Sequence, residues 1–131
     1  MEYLVGLLLG LAVAGFGVLV GFDRERAFYP TVAIVVASYY ILFAVMGASG
    51  RTLGTEIAVA CIFCVLAVLG SSRWPWLIVV ALVGHGAFDS VHHLLITNPG
   101  VPNWWPGFCL AFDVALGAFV ALRLLRRSRS S

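Results

Sequence analysis

The chain has 131 residues, 62% of them hydrophobic and only 11% charged, where a soluble domain carries roughly a quarter. Long apolar runs replace the alternating stripes of a soluble core, so the sequence reads as an all-α integral membrane protein of one domain. With a net charge of +2 and no basic, aromatic-interleaved surface, it excludes nucleic acid as a partner and leaves the lipid bilayer.

A helical crossing needs about 20 mainly apolar residues, and five segments meet that requirement: 3–21, 30–48, 55–70, 75–96 and 105–124. The first opens on the acidic Glu2, and its apolar run exceeds the h-region of a secretory signal, so it reads as a retained helix. Gly6, Gly10 and Ala14 follow at four-residue spacing along it, as do Gly17 and Gly21. Such a row lets another helix approach closely, either inside the bundle or as the seam of a homodimer. After it, Asp23-Arg24-Glu25-Arg26 reads as a solvated set of local ion pairs.

Pro30, Pro75 and Pro106 sit near the first turns of the second, fourth and fifth spans, where a missing N–H costs nothing. In the second span Tyr39 and Tyr40 are candidates to line a ligand cavity or to find partners across the bundle. Glu56 opens the third span. Cys61 and Cys64 lie within it as a C-x2-C pair with no second pair, which reads as small apolar packing.

The chain has no lysine, so orientation follows from its arginines. Arg24, Arg26, Arg73, Arg123, Arg126, Arg127 and Arg129 fall on one side and Arg51 alone on the other. The positive-inside rule then places the N-terminus outside and the C-terminus in the cytoplasm.

The fourth span ends in GHGAFDSVHHLLI and carries all three histidines of the chain. At 100° per residue His85, Asp89 and His92 fall within about 60° of one another, and His93 widens the arc to about 100°. Counted at 1.5 Å per residue, His92 and His93 lie about 5 Å, Asp89 about 10 Å and His85 about 16 Å below the outer surface. The fifth span enters from the same side near Trp105, which puts Asp113 about 12 Å down. A short connection makes these two helices antiparallel neighbours, with Asp89 and Asp113 opposed. An Asp at mid-helix costs on the order of 2.5–3.5 kcal/mol to insert, so such residues face the interior and are functional candidates. The alternative is that they merely hold helices together.

Two chemistries fit. His85, Asp89, His92 and His93 could hold a zinc or non-haem iron ion, since i, i+4 spacing is a familiar ligand pair. Without a metal, two carboxylates in a dry site cannot easily both ionise, which leaves one as an acid beside a base. Haem fits poorly, because all three histidines share one helix. Trp104 and Trp105 read as an interfacial aromatic belt, or as a lid over the site in a loop stiffened by prolines, among them Pro102 and Pro106.

The run H-G-x-F-D-x-x-H-H, continued by V-P-x-W-W-P-x-F-C-x-x-F-D, resembles a family of small bacterial integral membrane proteins of unknown function. It is carried by His85, Gly86, Phe88, Asp89, His92 and His93, then by Val101, Pro102, Trp104, Trp105, Pro106, Phe108, Cys109, Phe112 and Asp113. The similarity is specific over the last two spans and compositional over the first three. It implies a compact multi-helix protein of the bacterial inner membrane and carries no activity with it. The D-x-x-H-H stretch also echoes the histidine boxes of membrane di-iron hydroxylases, which need many more histidines than three.

The sequence therefore predicts a bundle of five transmembrane helices with a polar pocket opening toward the outer leaflet. The function expected is an intramembrane enzyme on a lipophilic small molecule, with Asp89, Asp113 and His85 as the catalytic groups. Glu56, Tyr39, Tyr40, Trp104 and Trp105 are the additional pocket candidates. A non-catalytic metal-binding or metal-handling protein and a structural subunit of a membrane complex are the alternatives.

Overall fold

The computed structural model describes residues 1–130. Five helices follow one another: α1 (Glu2–Val20), α2 (Phe28–Gly47), α3 (Gly50–Ser72), α4 (Trp76–Leu95) and α5 (Trp105–Arg129), with a 3₁₀ turn at Phe22–Arg24. No strand occurs among the described residues, and each helix is long and apolar enough to cross a membrane.

Helix ends depart from the apolar runs for local reasons. The third helix begins at Gly50 rather than 55, because Ser49 caps it: the Ser49 Oγ accepts the Thr52 backbone N–H at 3.2 Å. A polar cap supplies an acceptor to an end whose first N–H groups have none. The fifth continues to Arg129 rather than 124, with Arg126, Arg127 and Arg129 in its last turn. Arginine is a good helix former, and its charge offsets the negative C-terminal end of the helix dipole.

Tight connections make successive helices antiparallel. One end of the bundle therefore gathers the starts of α1, α3 and α5, the ends of α2 and α4, and the 96–104 loop. The other end gathers the 3₁₀ turn and seven arginines. At that second end the expectation of solvated local pairs fails for one residue. Asp23 is buried and pairs with Arg123 of α5, one hundred positions away in sequence. The 3₁₀ turn folds it inward against the Arg123 side chain of α5.

α5 is the middle of the packing, with α4 on one side and α1 on the other, while α3 joins α2 to α4. Gly6 and Gly10 face the backbone of α5 at Phe108 and Phe112; a Cβ on Gly10 would lie 2.9 Å from the Phe112 carbonyl oxygen. Ala14 in the same row is buried in the core. Inside the chain, the Gly6 and Gly10 positions of this row pack on α5. Leu4, Leu8, Phe16, Met46, Ile62 and Val65 point outward, the inverse of a soluble protein and the surface that hydrocarbon covers.

Candidate metal centre

α4 and α5 meet closely where α4 has a glycine. A Cβ on Gly86 would lie 3.2 Å from the Asp113 Cβ and 3.4 Å from the Leu110 Cα. The missing side chain lets α5 bring Asp113 against the α4 face that carries His85 and Asp89, one helical turn apart.

The three groups converge on one nitrogen. The His85 Nδ1–H donates to Asp113 Oδ2 at 2.7 Å, and Asp89 Oδ2 lies 3.4 Å from the same Nδ1. His85 is 4% exposed, and both aspartates are 0% exposed. Around them stand Phe63, edge-on to the His85 ring at 5.0 Å, and Tyr40 at 6.1 Å. Cys109, buried on α5, adjoins both carboxylates.

This site is under-satisfied. Asp89 Oδ1 and Oδ2, Asp113 Oδ1 and the Tyr40 hydroxyl, which neighbours Asp89, have no hydrogen-bond partner among the described residues. Buried polar atoms nearly always have partners, and two carboxylates against one imidazole cannot easily both ionise in a site walled by apolar rings. One His nitrogen and two carboxylate oxygens, all within 4.8 Å of one another, are also a donor set suited to a divalent transition metal.

A second pair sits closer to the loop end. His92 Nε2–H donates to Glu56 Oε1 at 2.7 Å, and Asn98 Nδ2–H donates to the same oxygen at 2.9 Å. The His92 ring stacks on Tyr40 with centroids 4.1 Å apart. Tyr40 thus lies between the two clusters, stacked on one and with its hydroxyl beside the other.

The expected set of four ligands on α4 is therefore divided. His85 and Asp89 join Asp113 in one centre, His92 turns to Glu56, and His93 is exposed on the outside of α4. Rotation explains it: His93 lies 100° past His92 on the helix, beyond the face that α3 and α5 cover. Tyr39 leaves the site as well, packing on Trp105 at 4.8 Å, while Trp104 is exposed. Cys61 faces outward and Cys64 is half-buried, both free. In the sequence Asn98 reads only as a turn residue; its N-P-G context masks a side chain that ties the loop to Glu56 and to the Tyr40 carbonyl.

The fold is a five-helix bundle of the membrane-spanning type with a buried His–Asp–Asp centre. No family model, no curated protein and no solved structure matches the chain. A functional reading therefore rests on the centre's own chemistry.

Proposed function

We propose that this protein is a metal-dependent intramembrane enzyme of the bacterial inner membrane, acting on a lipophilic small molecule at His85, Asp89 and Asp113. The observation that carries the reading is a buried triad of ligand groups in which three carboxylate oxygens have no hydrogen bond among the described residues. A divalent ion, zinc or iron(II), would balance two carboxylates and give those oxygens a partner. Bound there, it would act as a Lewis acid toward a carbonyl or a water.

Three protein ligands make an incomplete shell, the pattern of catalytic rather than structural sites. Phe63 and Tyr40 wall the His85 ring with apolar surface, and the Tyr40 hydroxyl lies beside Asp89. An apolar cleft of about 350 Å³ between α1, α2 and α5 is lined by Leu9, Val13, Val35, Phe112 and Cys109, the last of which feels the charge of both acids. Such a cleft suits a substrate arriving from the bilayer.

Metal analysis of the purified protein tests the reading. Near-stoichiometric zinc or iron is expected, depleted in His85→Ala and Asp89→Asn and retained in His93→Ala, whose side chain lies outside the centre. Metal that is absent from the wild type, or indifferent to the first two changes, sinks it in favour of metal-free acid–base chemistry. A second reading, metal handling without catalysis, draws on the Glu56–His92 pair. His92 borders a cavity of about 580 Å³ at the loop end, as a way-station for an ion would. It predicts that Glu56→Gln slows metal loading of an intact centre.

A further inference from the structure

The arginine end of the bundle carries a pocket that the proposed centre does not use. It measures about 290 Å³ and lies between the 3₁₀ turn, the start of α2, the junction of α3 with α4, and the last turns of α5. Arg24, Arg26, Arg73, Arg123 and Arg127 border it together with Asp23 and Glu25, so arginines outnumber carboxylates around it. Asp23 and Arg123 are joined in an ion pair.

A second observation points into the same space. Tyr29 lines the pocket and is 7% exposed, yet its hydroxyl has no hydrogen-bond partner among the described residues. Its nearest charged neighbours are Asp23, Arg123 and Arg127. A buried hydroxyl normally donates to something, and here the surrounding charge selects an anion.

We propose that this pocket binds a phosphate group, as carried by an anionic lipid headgroup or a free phosphate ester. Guanidinium groups match phosphate oxygens two at a time, which a compact halide does not exploit. The excess charge matches one phosphate and its near surroundings. The pocket's depth, where α2 begins and α3 ends, is that of a headgroup in the leaflet that bathes the arginine end. Arg24, Arg26 and Arg73 would take the phosphate oxygens, and the Tyr29 hydroxyl would donate to one of them from below.

The experiment uses the full chain in a neutral detergent. Binding of phosphatidylglycerol is followed by native mass spectrometry and by thermal unfolding, with phosphatidylcholine as the zwitterionic control and inorganic phosphate as the free anion. Phosphatidylglycerol is expected to bind and to raise the unfolding midpoint. Arg73→Gln should weaken binding about tenfold and Tyr29→Phe several-fold, as loss of an ion-paired guanidinium and of a single hydroxyl donor predicts. Tyr29→Phe removes only an unpartnered hydroxyl, so the ligand-free protein should keep its unfolding midpoint. If Arg73→Gln fails to fold, Arg26→Gln, whose side chain is exposed, replaces it. Displacement of the lipid by millimolar phosphate identifies a free phosphate ester as the ligand; resistance to displacement identifies the headgroup. Both outcomes support the pocket. Equal binding of phosphatidylcholine, binding that both variants leave unchanged, or no binding of either anion overturns the proposal.

Discussion

Asp113 separates chemistry from scaffolding at the scale of single residues. Its Oδ2 accepts the His85 Nδ1–H while Oδ1 is unmet. Asn reproduces the shape and can still accept that hydrogen bond, but it is a far weaker metal ligand and carries no charge. Asp113→Asn should therefore insert and fold normally while losing metal and activity, whereas Asp113→Leu strands the imidazole and costs roughly 1–3 kcal/mol in stability. Metal content, thermal stability in detergent and turnover, measured together on both variants, decide it. An Asn variant with full activity and full metal would falsify the catalytic role. Glu56 gives the contrasting case, because it holds two donors, buried His92 and half-buried Asn98, on one oxygen. Glu56→Leu strands buried His92 and removes one of the two hydrogen bonds of the Asn98 amide, so it should destabilise by roughly 1–3 kcal/mol, with Glu56→Gln recovering much of the loss. His93→Ala, on an exposed side chain, should stay within about 0.5 kcal/mol of the wild type. The sequence could bring His85, Asp89 and Asp113 together, since helical angle and depth suffice for that. Helical angle already sets His93 at the edge of the arc, but it does not show that His92 leaves His85 and Asp89, because that choice is made by Glu56 on another helix.

Among the elements, the seam between α1 and α5 shows where hydropathy stops being informative. The five spans are legible because a crossing helix must be continuously apolar. Which helix faces which is not, because hydrocarbon and packed side chains are equally apolar and helix pairing rests on close fit. The small-residue row of α1 announces a partner without naming it, and the partner is the backbone of α5. Gly10→Leu should consequently cost roughly 1–3 kcal/mol, since a side chain there meets the Phe112 carbonyl rather than a movable tip. Gly15→Leu is the matched control: nothing lies within 4 Å of its Cβ position, and it should be silent. Thermal unfolding of both variants in detergent checks the pair, and equal effects would mean that the α1–α5 seam is misplaced. Gly86→Ala tests the same principle next to the centre. Its methyl group would press on Asp113 Cβ at 3.2 Å, so α5 must move outward by a few tenths of an ångström. That variant should stay folded and hold its metal less tightly, as seen in a metal-chelation titration.

For the whole molecule, the two ends are chemically opposite, and this asymmetry is what fixes its direction in a membrane. The His–Asp centre lies between six and ten residues in from the ends of α4 and α5 at the loop end, or about 9–15 Å at 1.5 Å per residue. That is a third to a half of the roughly 30 Å hydrocarbon thickness, so bulk water must come from the loop side if it comes at all. Seven arginines crowd the opposite end, and moving them across a bilayer during insertion is resisted by the bias that retains basic loops in the cytoplasm. The loop end should therefore face outward and the arginine end the cytoplasm. Replacing Asn103 with cysteine places a thiol in the 96–104 loop at an exposed position. The native thiols give little background, because Cys109 is buried and Cys61 and Cys64 lie within the membrane-crossing length of α3, where a membrane-impermeant maleimide does not reach. Asn103→Cys should label from outside intact cells, and a reporter fused after Ser131 should register cytoplasm. Labelling only after the cells are broken open, with the reporter outside, would invert the molecule and move the entrance of the His92-lined cavity to the cytoplasmic side.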